Sequence, residues 1–330
     1  MAKTLIEVEH LTKHFVLGGG FLGGKKRVVQ AVNDVSFSIP EGSTFSLVGE
    51  SGCGKSTTGR AILRLIEPTG GKVTFDGRVI TDVEGNNNAS NKDMMSLRSY
   101  MQMVFQDPYA CLDPRMNIGS IVAEGIKKHK LATGSAAYDM AADMLKLCGM
   151  DRDTLRRYPH EFSGGQRQRI GIARSLALHP KFIVADEPIA ALDVSIQAQI
   201  LNLLIDLQEE MKLTYLFISH DLGVVHRFCD HIGVMYLGCM MELGETNSVY
   251  NNPRHPYTRA LLSAIPTSHP GKRTERIRME GEPPSPVNPP SGCRFHPRCP
   301  YATSICREEF PQLRPAGDGT LVACHRMGEI

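Results

Sequence analysis

The chain has 330 residues, of which 42% are hydrophobic, so it can form one large core or two modest ones and lies outside the composition of disordered proteins. Its 37 Lys and Arg against 35 Asp and Glu leave a formal charge of +2, a balance that gives no support for a nucleic-acid surface or an acidic substrate. No stretch approaches the roughly 18 to 20 apolar residues that cross a bilayer, and the first residues lack the apolar core of a signal peptide, so we expect a cytosolic protein.

Residues 1–265 alternate short apolar runs with polar turns and helical stretches. The apolar runs at 44–48 and 182–185 are typical of buried strands. Between residues 195 and 212, apolar side chains recur at helical spacing and predict a helix with one face on a sheet. These side chains are Ile196, Ile200, Leu203, Leu204 and Leu207. The whole pattern predicts a layered α/β domain.

Residues 49–57 fit the pattern G-x-x-x-x-G-K-[ST] directly after a predicted strand. Successive backbone N–H groups in such a loop can surround phosphate oxygens, and the N-terminus of the following helix adds positive potential. Lys55 is predicted to contact the β and γ phosphates of ATP, and the Ser56 hydroxyl to ligate Mg²⁺. The other predicted nucleotide-binding residues here are Gly49, Ser51, Gly52, Gly54 and Thr57. A glycine-rich turn without a ligand is the alternative.

The apolar run at 182–185 ends in two adjacent carboxylates, Asp186 and Glu187. In α/β folds, ligands bind at the carboxyl edge of the sheet. Asp186 suits a Mg²⁺ contact, and Glu187 could polarise an attacking water. Two acids after a strand could equally be a solvated strand end, but together with a phosphate loop they indicate an ATP-hydrolysing site.

Residues 162–169, Phe-Ser-Gly-Gly-Gln-Arg-Gln-Arg, resemble the signature sequence of ATP-binding-cassette (ABC) ATPases. The resemblance implies a P-loop NTPase fold with a RecA-like core, an antiparallel β subdomain and a helical signature subdomain at about 107–180. It also implies that the signature residues face nucleotide held by a partner ATPase, so that hydrolysis requires a dimer. Those residues are Ser163, Gly164, Gly165 and Gln166. Where the family usually has threonine, this chain has Ile189, which lies outside the assigned roles.

Further family motifs follow in order along nearly the whole chain. The resemblance implies that Gln106 senses Mg²⁺ and the nucleophilic water while it touches transmembrane subunits. It implies that residues 191–193 connect the two active sites of the dimer and that His220 hydrogen-bonds the γ phosphate. Phe15 resembles the aromatic that stacks on adenine, with a core phenylalanine as the alternative.

Two segments, 59–68 and 255–262, resemble the oligopeptide and dipeptide importer branch in particular. The resemblance implies a heterodimer with a sister ATPase at the cytoplasmic face of the inner membrane. The further implied partners are two transmembrane permease subunits and an extracytoplasmic solute-binding protein. Relatives that move nickel, glutathione or sugars leave the cargo open. A soluble cassette ATPase that acts on DNA or ribosomes is the rival class, but this chain has one signature sequence and no long coiled insertion.

The sequence changes character at residue 266, and 266–330 read as a proline-rich connector and a small cysteine-bearing tail. Prolines within 281–290 exclude a regular helix there. Four thiols in 32 residues of a cytosolic chain indicate a metal site; they are Cys293, Cys299, Cys306 and Cys324. Their spacing, C-x5-C-x6-C-x17-C, lacks the C-x2-C pairs of common zinc sites. It resembles the C-terminal region of this branch, where some members hold a [4Fe-4S] cluster.

Zinc and free thiols remain the alternatives to iron–sulfur for the tail. The other cysteines are scattered along the chain. We predict that Cys111, Cys148, Cys229 and Cys239 are small buried hydrophobes, whereas Cys53 occupies a variable position of the phosphate loop.

Overall fold

The computed structural model describes residues 3–18, 26–265 and 277–330. The start of the predicted connector, 266–276, lies outside the described residues. The strands are β1 Thr4–Leu17, β2 Arg27–Pro40, β3 Thr44–Val48, β4 Gly70–Phe75, β5 Arg78–Asp82, β6 Met101–Val104, β7 Phe182–Asp186, β8 Thr214–Ile218, β9 His231–Tyr236, β10 Cys239–Glu245, β11 Arg314–Pro315 and β12 Leu321–Val322. The helices are α1 Lys55–Ile62, α2 Asn91–Leu97, α3 Ile118–Lys128, α4 Gly134–Leu147, α5 Gly164–Leu176, α6 Val194–Met211, α7 Leu222–Phe228, α8 Thr246–Asn251, α9 Pro256–Ser263 and α10 Ser304–Glu308.

The described chain divides into two compact units. The first contains residues 40–43 and 89–218, and the second contains the described parts of 3–39, 44–88 and 219–330. The cysteine-bearing tail therefore belongs to the same unit as the phosphate loop. The predicted domain boundary at residue 265 stays a prediction.

The first unit contains three parallel strands in the order β8-β7-β6. Every residue of β7 and β8 is buried, as expected for apolar runs in a parallel sheet covered on both faces. Helices α3, α4 and α5 pack against one another within the range predicted for the helical signature subdomain.

Helix α6 of the first unit carries the predicted apolar stripe. Ile200, Leu203, Leu204 and Leu207 are buried in α6, which confirms that this face packs against the core. Ile196, in the first turn of the helix, is only half-buried. The Tyr215 hydroxyl donates to the Leu204 carbonyl at 3.3 Å and so ties α6 to β8.

The second unit contains an antiparallel sheet in the order β2-β1-β4-β5 and a set of strands in the order β11-β12-β10-β9-β3. Strand β3 is fully buried and parallel to β9, while β9, β10, β12 and β11 pair antiparallel in turn. The tail adds β11 and β12 to this set. Residues 281–290 contain no helix, as their prolines predict.

No helix in the described ranges combines the length and apolar character needed to cross a membrane.

Candidate functional site

The loop at 49–57 connects β3 to α1, and its glycines adopt backbone conformations that other residues avoid. Gly49 has φ 148° and Gly54 has φ 107°. A Cβ at Gly49 would lie 2.1 Å from the Met235 carbonyl oxygen, and a Cβ at Gly54 would lie 2.2 Å from the Ala31 carbonyl oxygen. Only glycine therefore lets this loop pass so close to neighbouring backbone.

Lys55 opens α1 and is 4% exposed. Its Nζ donates to the carbonyl oxygens of Gly49 at 2.8 Å and Glu50 at 3.1 Å. Burial raises the pKa of the neighbouring Cys53 thiol, against the opposing effect of the Lys55 charge. The loop thus encloses an ammonium group at a helix N-terminus, which suits a phosphate ligand.

Two more predicted nucleotide contacts lie in the same unit. Phe15 is 37% exposed on β1, and Lys13 Nζ lies 4.8 Å from its ring centroid. The alternative that Phe15 is a core residue is therefore wrong, and its stacking on adenine stays a prediction. His220 is exposed just before α7. The preceding Ser219 N–H donates to the Leu47 carbonyl at 3.2 Å, which fixes this segment beside β3.

The first unit brings Gln106 and Glu187 together. Gln106 Nε2 donates to Glu187 Oε2 at 2.9 Å. Glu187 has φ 46°, and its N–H donates to the Ile218 carbonyl at 3.0 Å. A left-handed conformation costs a non-glycine residue about 1–2 kcal/mol, and such strain gathers at functional sites. Asp186 is 1% exposed at the end of β7, and Ile189 is 4% exposed.

The signature residues begin α5, also in the first unit. Ser163 caps the helix: its Oγ accepts the Gln166 N–H at 3.4 Å, and Gln166 Oε1 accepts the Ser163 N–H at 3.0 Å. This capping box leaves the first turn of α5 with positive potential. Gln166 is thereby engaged with the Ser163 backbone.

Sequence reasoning missed a close contact between the signature helix and the start of α6. A Cβ at Gly165 would lie 2.5 Å from Ile196 Cγ2, whereas a Cβ at Gly164 would meet Leu192 Cδ2 at an ordinary 3.6 Å. The two successive glycines at the start of the helix were the feature of the sequence that could have indicated this close packing. The signature residues therefore lie against the segment predicted to connect the two active sites.

The predicted Mg²⁺ ligands are divided between the units. Ser56 belongs to the second unit, and Gln106 and Asp186 belong to the first. Their joint coordination of Mg²⁺ stays a prediction, as do the nucleotide roles of the other loop residues.

The four tail cysteines line one cavity, together with His296 and His325. Burial raises the pKa of Cys293 to about 12, and the charges of the other three thiols add to the effect. No group of three or more His, Cys, Asp or Glu side chains in the described ranges has an arrangement that could hold a metal ion. Four cysteine sulfurs are the number and type of ligand that zinc or an iron–sulfur cluster requires. The positions of these sulfurs, however, are not those of ligands around a bound metal.

None of the nine cysteines, all within the described ranges, is paired in a disulfide. Cys148, Cys229 and Cys239 are buried, as predicted. Cys111 is only half-buried, so the prediction is wrong for this residue. It lies in a turn, where its Sγ contacts the Pro108 carbonyl at 3.5 Å.

Comparison with known proteins identifies these elements. The family model described as ABC transporter matches residues 32–190, and the model for the oligopeptide/dipeptide transporter C-terminal region matches residues 241–306. The chain is 50% identical over 325 residues to the oligopeptide transport ATP-binding protein AppF of Bacillus subtilis (strain 168), with 98% of this chain and 97% of AppF covered. It is 53% identical over 324 residues to the putative oligopeptide transport ATP-binding protein YkfD of the same organism, with 97% and 95% covered.

Among solved structures, the ATP-binding cassette MJ0796, in a dimeric post-hydrolysis state with ADP and Pi, matches with a TM-score of 0.63 and 28% identity. The match covers 73% of this chain and 99% of that one. The fold and the site thus define a phosphate-loop ATPase of mixed α/β architecture. The chain belongs to the ABC transporter ATPases and carries the C-terminal region of their oligopeptide and dipeptide branch. Its reaction is ATP hydrolysis coupled to transport, for which ATP and Mg²⁺ are expected.

Proposed function

We propose that the chain is one of two ATPases that power the import of di- or oligopeptides across the bacterial inner membrane. The observation that carries this proposal is the match of residues 241–306 to the oligopeptide/dipeptide C-terminal region, attached to an ABC core. Relatives that are named oligopeptide transport ATP-binding proteins match along nearly their whole length. Nickel, glutathione and sugars are the alternative cargoes.

In the proposed reaction, the loop at 49–57 holds the phosphates of ATP, with Lys55 on the β and γ phosphates. Glu187 orients a water molecule and draws its proton as the water oxygen bonds to the γ phosphorus. The bond from that phosphorus to the β–γ bridging oxygen breaks, and ADP and phosphate leave. The hydrogen bond from Gln106 Nε2 fixes the Glu187 carboxylate, which supports this role. Ser56, Asp186 and Gln106 would hold the Mg²⁺, whose positive charge offsets charge on the phosphates.

The signature residues would contact the nucleotide that is bound to a partner ATPase. The N-terminus of α5, with the Ser163 hydroxyl and the Gly164 and Gly165 amides, supplies the donors and positive potential for a γ phosphate. His220 would hydrogen-bond the γ phosphate within its own chain. Two bound ATP molecules would close the dimer, and hydrolysis would reopen it.

The proposed partners are a sister ATPase, two transmembrane permease subunits and, indirectly, an extracytoplasmic solute-binding protein. The chain would sit at the cytoplasmic face of the membrane, with Gln106 near the permeases. Nucleic acid is not among the proposed partners.

The test is mass spectrometry of the proteins that co-purify with the tagged full-length chain from gently solubilised native membranes. We expect a sister ATPase and two membrane proteins, which are absent when an unrelated tagged cytosolic protein is purified in the same way. Recovery of ribosomes or repair proteins instead would contradict the transport role and leave the ATPase assignment intact.

We further propose that Cys293, Cys299, Cys306 and Cys324 hold a metal, as a [4Fe-4S] cluster, with zinc as the alternative. The proposal is supported by their place around one cavity, within a segment of 32 residues. It requires the four thiols to lose their protons and close on the metal, because thiolates are the ligands of such sites. The bound group would be structural or regulatory.

A further inference from the structure

The segment between Cys293 and Cys299 reaches the phosphate loop within the second unit. Arg298 Nη1 donates to Glu50 Oε2 at 2.8 Å, and Arg298 Nη2 donates to Glu50 Oε1 at 3.2 Å. The arginine side chain is 7% exposed and the glutamate side chain 25% exposed. A bidentate arginine–carboxylate pair fixes both position and orientation, and its shielding from water strengthens this constraint.

Glu50 is the second residue of the phosphate loop, and its main chain is held as well. Its N–H donates to the Tyr257 hydroxyl at 2.9 Å. Its carbonyl accepts a hydrogen bond from Lys55 Nζ at 3.1 Å. The Glu50 carbonyl is therefore one of two, with that of Gly49, that position the ammonium group of Lys55.

The same tail segment also supports Tyr257. The Phe295 ring lies 5.3 Å from the Tyr257 ring and meets the Tyr236 ring edge-on at 5.3 Å. The Tyr236 hydroxyl accepts from Arg298 Nη1 at 3.4 Å. Phe295 thus supports the main chain of Glu50 through Tyr257, and Arg298 binds the side chain of Glu50 directly.

We propose that Arg298 is a positioning residue of the ATP site. Through Glu50 it holds the phosphate loop in its binding conformation. The cysteine-bearing tail thereby raises the affinity of the loop for nucleotide. A loop without this tether would spend part of its time in other conformations. Apparent affinity falls in proportion to the competent fraction. The inference rests on ATP binding by the loop and is independent of the cargo.

Arg294 offers a matched control from the same segment. It is also buried, at 8% exposure, but its Nη2 donates to Gln30 Oε1 at 2.6 Å. Gln30 lies on β2, outside the phosphate loop. Arg294→Gln therefore removes a buried tail arginine without touching Glu50.

The experiment is equilibrium binding of a fluorescent ATP analogue to the purified full-length chain, with thermal unfolding of each variant alongside. We expect Arg298→Gln to raise the Kd about tenfold, which corresponds to a competent loop population of about a tenth. Arg298→Lys keeps the charge without the bidentate fork and should fall between wild type and Arg298→Gln. Arg294→Gln should lower the melting temperature while the Kd stays within about twofold.

A double-mutant cycle tests the route through Glu50. If Arg298 acts through Glu50, Glu50→Gln also raises the Kd for the ATP analogue. The Kd of the double variant should then be no higher than the higher Kd of the two single variants. An unchanged Kd in Arg298→Gln, an equal rise in Arg294→Gln, or additive losses in the double variant would overturn the inference and leave the ATP site standing. A wild-type chain that does not bind the analogue would overturn both.

Discussion

At the scale of single residues, the phosphate loop depends on glycines that serve different purposes. Gly52 has φ 78°, and a Cβ there would meet no atom within 4 Å. Gly54 has φ 107°, and its Cβ would lie 2.2 Å from the Ala31 carbonyl oxygen. The first position requires only the left-handed conformation, whereas the second also requires the missing side chain.

We therefore expect Gly52→Ala to lower the free energy of unfolding by about 1–2 kcal/mol, the usual cost of a left-handed alanine. Gly54→Ala should lower the free energy of unfolding further and should also weaken ATP binding, because the backbone at Ala31 cannot move aside as a side chain can. Urea unfolding and titration with a fluorescent ATP analogue measure the two effects. Equal losses in both variants would show that the close approach to Ala31 does not matter.

Glu187 carries the second residue-scale prediction. If it orients the water and accepts its proton, Glu187→Gln lowers the rate of ATP turnover by at least about a hundredfold. The variant should still bind ATP and, in its presence, dimerise with the partner ATPase, because the amide keeps the shape of the side chain. Steady-state turnover and light scattering with and without ATP provide the two readouts.

Glu210→Gln is the matched control, since Glu210 is an exposed carboxylate on α6 of the same unit. It should turn over ATP like the wild type. Near-normal hydrolysis by Glu187→Gln would remove Glu187 from the mechanism.

At the scale of elements, the signature helix is positioned by its contact with α6. A Cβ at Gly165 would lie 2.5 Å from Ile196 Cγ2, so one of the two elements must shift. Gly165→Ala should therefore destabilise the protein by about 1–3 kcal/mol despite the better helix propensity of alanine. Gly164→Ala, whose Cβ meets Leu192 at an ordinary distance, should change stability by less than about 0.5 kcal/mol.

A second substitution separates steric overlap from loss of backbone freedom. Ile196→Ala removes the methyl group that a Cβ at residue 165 would meet. Its effect on the free energy of unfolding should therefore be about 1 kcal/mol more favourable in the Gly165→Ala background than in the wild type. Urea unfolding of the four proteins measures this coupling. Strictly additive free energies would show that Gly165 is needed for a reason other than contact with Ile196.

At the scale of the whole molecule, the tail cysteines lie in the same compact unit as the phosphate loop. If they bind iron–sulfur, protein purified without oxygen should show broad absorbance in the visible range, and Cys293→Ser should abolish it. Cys239→Ser removes a buried thiol outside the cavity and should keep the absorbance. A colourless protein that contains zinc would contradict the iron–sulfur proposal.

The sequence alone determined that the chain is an ATP-hydrolysing protein, because the motifs of that class are short local patterns. The loop at 49–57, the acids after β7 and the cap of α5 each lie within a few neighbouring residues, where backbone geometry follows directly from residue type. The apolar stripe of α6 was readable for the same reason.

Only the tertiary structure decided the contacts between residues distant in the sequence. Gln106 and Glu187 are 81 residues apart, and Glu50 and Arg298 are 248 apart. No periodicity links such pairs, because they meet through strand order and packing rather than through local spacing. The exposure of Phe15 and the placing of four separated cysteines around one cavity were decided in the same way. The sequence predicted which groups act on ATP, and the fold determined which distant side chains hold those groups in place.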